Sequence, residues 1–150
     1  MTDAPTIHAS AVLIGAKAAL IRGPAGSGKS QLVWQLLQGA QDGALPFTRL
    51  VADDRAYVEA AAGRLLVRPA QALAGRIEIR GLGIRRLPYE PVAAVGLVVD
   101  LAAADADRLP SREAGETVIH GVTLPRLAVA PAQPALPLVR ALLQAPPTAN

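Results

Sequence analysis

The run Gly23-Pro24-Ala25-Gly26-Ser27-Gly28-Lys29-Ser30 has the residue types and spacing to hold the phosphates of a nucleoside triphosphate. It matches the P-loop pattern G-x-x-x-x-G-K-[ST] at every position. Gly26 and Gly28 let the backbone adopt conformations closed to other residues and turn its N–H groups toward an anion. A helix opening near Lys29 adds its positive N-terminal end at the same place. Lys29 reaches the β- and γ-phosphates, and the Ser30 hydroxyl is a ligand for Mg²⁺. The alternative is a plain glycine-rich turn ahead of an ordinary helix. Against it, a strand-like apolar stretch precedes the run and a helical pattern follows. Moreover, the chain has thirteen Arg but only two Lys, and one of the two occupies the position where the pattern demands it.

Carboxylates come next. Asp53-Asp54 follow the apolar Leu50-Val51-Ala52, which places them at a strand's carboxyl end, where ligand sites of open α/β sheets lie. An acid there holds the metal or activates the attacking group. Adjacent side chains on a strand point to opposite faces, so one of the pair faces the nucleotide unless the backbone bends. Without the P-loop, a solvated acid pair at a turn would be the default. Glu78 sits between Ile77 and Ile79; with both isoleucines in the core it faces solvent or a site. His8 and His120 are ambiguous taken alone.

The elements that must position these residues follow from apolar periodicity. Residues 7–14 and 18–22, joined by Gly15-Ala16-Lys17, predict a β-hairpin, and Ser30 to Gln38 a helix ending near Gly39. Strands are expected at 48–52, in a hairpin of 55–59 and 64–68 turning at Ala62-Gly63, at the start of 75–84 with a break at Gly81, and at 94–102. Two more are expected at 116–120 and 122–129, then a closing helix from Pro134 to Gln144 despite Pro137, and a frayed tail from Ala145 to Asn150. The result is a mixed α/β sheet with more strands than helices, in one domain spanning residues 1–150.

Composition excludes other classes. The chain has 150 residues, 51% of them hydrophobic but only 3% aromatic, so Ala, Leu and Val must fill the core. The net charge of +3 comes from 15 basic and 12 acidic residues, with the basic ones dispersed, which gives nucleic-acid binding little support. Cysteine is absent, which excludes disulfides and thiolate metal sites. The start, Met1-Thr2-Asp3-Ala4-Pro5, lacks the regions of a signal peptide, and no apolar run is long enough for a membrane span. A cytoplasmic location with no membrane partner is expected.

Ile7-His8-Ala9, the P-loop, Val51-Ala52-Asp53-Asp54-Arg55 and Ile77-Glu78-Ile79-Arg80-Gly81-Leu82-Gly83-Ile84, in that order and with compatible spacing, resemble the catalytic domain of HPr kinase/phosphorylase. The resemblance is clear over about residues 7–84 and looser beyond. It implies an α/β P-loop nucleotide-binding fold of the phosphoenolpyruvate carboxykinase-like type. The implied activity is transfer from ATP or pyrophosphate to a serine of an HPr-like phosphocarrier of the phosphotransferase system. The reverse is attack of inorganic phosphate on phosphoserine to give pyrophosphate. It further implies Asp53 as the base, Lys29 on the transferring group, Ser30 and Glu78 on Mg²⁺, His8 beside the catalytic acid, Asp54 supporting that cluster, and a homohexamer. The chain resembles the short forms without an N-terminal regulatory domain. It departs from the family at Ala128-Val129-Ala130-Pro131-Ala132-Gln133-Pro134, where a basic loop is usual and no cation stands here.

The chemistry of a serine kinase is therefore expected, with phosphorolysis weaker than forward transfer. A nucleotide-binding regulator with poor turnover is the alternative that the missing basic loop favours. The set of His8, Lys29, Asp53 and Glu78 speaks against it, because a pure binder has no chemical need for Asp53. A small-molecule kinase is a third reading, against which the chain shows no arginine-rich lid segment to close over such a substrate.

Overall fold

A computed structural model describes residues 5–145. Apart from Ala145, the expected frayed tail lies outside them, as do residues 1–4 of the N-terminal stretch read against a signal peptide. The strands β1 (Ala9–Ile14) and β2 (Lys17–Arg22) form the expected hairpin. Helix α1 (Lys29–Gln41) follows the glycine-rich loop, and β3 (Thr48–Ala52) returns to the far side of β1. Next come the hairpin β4 (Ala56–Ala61) and β5 (Arg64–Pro69), the hairpin β6 (Arg76–Ile79) and β7 (Gly83–Arg86), and the long strand β8 (Ala93–Asp100). The strands β9 (Glu116–Ile119) and β10 (Val122–Ala128) precede α2 (Ala135–Gln144).

The central sheet runs β3-β1-β2-β8-β10-β9, with β5 pairing the start of β8 and β4 pairing β5. Strands β2, β8 and β10 are parallel neighbours, and β1 is antiparallel to both β2 and β3. One edge of the sheet therefore collects the carboxyl ends of β2, β3, β8 and β10 together with the start of β1. This is what brings residues near positions 8, 23, 53 and 100 together.

The sheet is buried on both faces, which explains strands that read as continuous apolar runs. Along β1 and β2 alternate residues go to opposite cores. Val12, Ala19 and Ile21 join Leu32, Val33 and Leu36 of α1, while Ala9, Ala11, Ala18 and Leu20 pack toward Leu65 and Val67 of β5.

Two elements differ from expectation. Helix α1 passes through Gly39 instead of ending there. A Cβ on Gly39 would lie 2.7 Å from Leu45 Cδ1, so this glycine lets the following loop close on the helix. The break at Gly81 is the turn of a third hairpin, and β7 is a strand that apolar alternation does not show, because all four of its residues are exposed. The proline at position 137 costs α2 nothing. It sits in the first turn, where a backbone N–H has no intrahelical partner.

Candidate active site

The loop between β2 and α1 is shaped by its glycines. Gly26 and Gly28 have φ of 81° and 101°, in the left-handed region that favours glycine. Gly28 is also the N-cap of α1, and no side chain caps that end. The first amides of the helix thus remain available to an anion. Within the loop, Ser27 Oγ is buried with no hydrogen-bond partner among the described residues. Lys29 is buried and folds back on the loop, its Nζ donating to the carbonyls of Gly23 (2.8 Å) and Pro24 (3.2 Å). An uncapped helix N-terminus, an unpaired hydroxyl and a lysine held by neutral carbonyls fit a phosphate chain.

Asp53 is the hub of the site. Its Oδ1 accepts from Ser30 Oγ at 2.6 Å and from Ser10 Oγ at 2.9 Å, and its Oδ2 accepts from the backbone N–H of Glu78 at 3.1 Å. The carboxylate is 8% exposed and ties together α1, β1, β3 and β6. The backbone does bend after it: Asp54 has φ 69°, a region that Asp tolerates better than most residues. The bend is fixed by the N–H of Asp54, which donates to Ser10 Oγ at 3.0 Å. It turns the Asp54 side chain outward to His8, whose Nδ1 lies 3.9 Å from Asp54 Oδ1. That separation is too long for a hydrogen bond, and both side chains are more than half exposed.

Glu78 is exposed while Ile77 beneath it is buried, so the acid faces away from the core. Its backbone touches Asp53, which brings it to the rim of the site. Among the described residues, no group of three or more His, Asp or Glu side chains converges to cage a metal. The donors that do converge, Ser30 Oγ and the Asp53 carboxylate, suit Mg²⁺. That ion commonly takes one or two protein oxygens and completes its shell with phosphates and water. His120 is in the β9–β10 turn, at the start of β10, and therefore at the opposite end of the sheet from the site.

Ser10 escaped the sequence reading. Its signal is a lone hydroxyl in the otherwise apolar strand ASAVLI, two residues after His8. Fully buried, it bridges Asp53 and Asp54. A second unforeseen feature lies just before the loop. Arg22 grips Asp100 with two hydrogen bonds of 2.7 and 2.8 Å, and Arg126 binds Asp100 Oδ2 at 2.6 Å and Asp105 at 2.8 and 2.9 Å. Burial works to raise the Asp100 pKa, but the hydrogen bonds and charges of both arginines outweigh it and hold it below the usual carboxylate range. Asp105 is lowered chiefly by its hydrogen bond from Arg126, whose own pKa is raised first by Asp105 and then by Asp100. The network clamps the carboxyl ends of β2, β8 and β10, and it leaves Arg126 fully committed.

With this geometry in view, the comparison with solved structures decides the architecture. The chain aligns with the HPr(Ser) kinase/phosphatase from Coxiella burnetii at a TM-score of 0.73 and 22% identity, over 94% of this chain and 95% of that one. The chain has the HPr(Ser) kinase/phosphatase fold. No protein-family model and no curated protein matches its sequence. The resemblance read from residues 7–84 thus extends in three dimensions over nearly the whole chain, as an α/β fold with a mixed, strand-rich sheet. No helix among the described residues is long and apolar enough to cross a membrane.

Proposed function

We propose that this protein is an ATP-dependent serine kinase acting on an HPr-like phosphocarrier. In this reading its fold is the P-loop type related to phosphoenolpyruvate carboxykinase, with the catalytic domain as the unit described. The observation that carries the reading is the hydrogen bond from Ser30, the last residue of the loop, to Asp53, with the exposed Asp54–His8 pair beside it. A phosphate-binding loop, a metal-side carboxylate and a free carboxylate are the parts phosphoryl transfer needs. A pure nucleotide binder has no use for the third.

The two aspartates divide the work by exposure. Asp53 is buried with three acceptor positions already filled, which suits it to fix Ser30 and support Mg²⁺. Asp54 is open to a protein substrate and faces His8, which suits it to take the serine proton. The base role that family resemblance gives to Asp53 therefore passes to its neighbour in this reading. The serine oxygen attacks the γ-phosphorus, its proton goes to Asp54, the bond from the γ-phosphorus to the bridging oxygen breaks, and ADP departs. Mg²⁺, when bound, neutralises charge on the β- and γ-phosphates. Lys29 releases the Gly23 and Pro24 carbonyls to meet the transferring group. Glu78, at the rim, helps hold the metal.

The test is incubation of the purified protein with labelled ATP, Mg²⁺ and HPr-like proteins from the host. Serine phosphate on one of them is expected. Tight ATP binding with no transfer to any of them would instead support the regulator that turns over poorly.

A further inference from the structure

Between residues 76 and 86 the chain holds four arginines, Arg76, Arg80, Arg85 and Arg86, against one acid, Glu78. They fold into β6 and β7, a two-stranded sheet whose inner face is buried through Ile77 and partly through Ile79. Side chains two apart on a strand share a face, and so do cross-strand partners. The register pairs Arg76 with Arg86 and Glu78 with Ile84, so the outer face runs from two arginines to the acid at the rim of the site. All four of these residues are exposed, and the turn adds Arg80 and Leu82, exposed as well. Among the described residues Arg76 and Arg86 enter no ion pair, whereas Arg22, Arg49, Arg68 and Arg126 each meet an acid. Like charges directly opposite each other destabilise a strand pair. A hairpin that keeps such a pair in the open presents charge that its own chain does not answer. Local rules are broken in this way at functional sites.

We infer that the outer face of β6 and β7 docks an acidic segment of the protein that presents its serine to the site. The inference rests on the kinase reading above and adds the chemistry by which the protein substrate is held. Its position suits the role. Arg76 lies two residues along β6 from Glu78, about 7 Å at the rise of a strand, and the N–H of Glu78 donates to Asp53. A segment lying on the arginines therefore leads toward Asp53 and Asp54. The composition of the face selects the class of partner. Leu82 and Ile84, 61% and 58% exposed, stand among the cations and suit a peptide of mixed acidic and apolar residues. Residues 76–86 include no aromatic ring on which a nucleic-acid base would stack. Among the described residues β7 pairs only with β6, so its outer edge has backbone groups free for an extended segment. Charge also guards open edges against self-pairing, but that purpose needs charge on β7 alone and gives no reason for Arg76 to face Arg86.

Fluorescence anisotropy of the full chain with a labelled peptide of alternating glutamate and leucine tests this, with a glutamine–leucine peptide as neutral control. The glutamate peptide is expected to bind the parent, less tightly as salt rises, and the neutral one about fivefold or more weaker. Arg76→Gln combined with Arg86→Gln is expected to weaken the glutamate peptide about fivefold or more, the span of two exposed charges. Arg64→Gln combined with Arg112→Gln, equal in charge but on β5 and before β9, should leave it unchanged. In urea the hairpin variant should be at least as stable as the parent, because the repulsion is gone. Equal losses in both variants, no binding of the glutamate peptide to the parent, or lower urea stability of the hairpin variant overturns the inference. So does self-association of that variant with peptide binding intact, which assigns the arginines to guarding the edge. Tighter binding of the parent to single-stranded DNA or to anionic vesicles than to the peptide overturns it too. None of these results touches the kinase reading. ATP failing to bind while the peptide response persists overturns that reading instead and keeps the acidic docking face.

Discussion

Ser30 Oγ donates to Asp53 Oδ1 across 2.6 Å, and the same oxygen accepts from Ser10 Oγ at 2.9 Å. The hydroxyl expected to meet the metal is thus held in advance by the carboxylate expected to stand behind it. Loop, helix α1 and strand β3 are locked in one geometry before any ligand arrives, which spares reorganisation during transfer.

The two aspartates are expected to separate in kinetics. Asp54→Asn should slow transfer by about 10²–10⁴-fold with ATP binding nearly intact, the pattern of a lost general base. Asp53→Asn should weaken Mg²⁺–ATP binding, because it removes the charge beside Ser30. Transfer rates of both variants at saturating ATP, set beside their ATP affinities, decide the matter. The opposite pattern returns the base role to Asp53.

Lys29 is held only by two neutral carbonyls, so it is free to exchange them for phosphate. Lys29→Ala should abolish transfer and reduce ATP affinity about 10- to 100-fold, the range for loss of a charge-assisted hydrogen bond. Equal affinity in variant and parent would remove the phosphate-binding role from this loop.

Glu78→Gln keeps shape and removes charge at the rim of the site. The Mg²⁺ concentration for half-maximal activity should rise about tenfold or more. An unchanged Mg²⁺ titration would leave Glu78 as a solvated strand acid whose backbone alone serves Asp53.

Phosphorolysis should lag behind forward transfer. A free phosphate dianion needs positive charge around it, and the segment from Ala130 to Pro134 supplies none, while Arg126 is committed to Asp100 and Asp105. Pyrophosphate release from serine-phosphorylated carrier at millimolar phosphate is the measurement. Gln133→Arg should raise it in part, limited by the prolines on either side of the turn. Rapid release by the unaltered protein would point to another cation, with exposed Arg80 the first to test.

Stability should depend on the Asp100 clamp in acid. Its pKa is lowered in the folded state, so its contribution is fully present above the unfolded carboxyl value of about 3.9 and is lost as pH falls through the lower folded value. Asp100→Asn should cost about 1–3 kcal/mol at neutral pH and should flatten the decline below pH 4. Urea denaturation of both proteins at neutral and acid pH measures this. Parallel curves would mean the clamp adds nothing.

The sequence by itself determined the glycine-rich loop, the hairpin before it, the helix after it and the acid pair just past β3, because each is written in local residue types: glycines at fixed spacing and alternating apolar residues. It also carried enough of the family pattern to anticipate the architecture. It did not show β7, whose exposed residues carry no apolar period, or the passage of α1 through Gly39, which depends on Leu45 packing against a glycine six residues earlier. Above all, it could not tell which of Asp53 and Asp54 is buried and which is exposed. That difference hangs on a left-handed backbone at Asp54 and on Ser10, a residue 43 positions from Asp53. Only the folding of β1 between β2 and β3 brings that hydroxyl to both aspartates. The pairing is a fact of topology, and no local pattern encodes it.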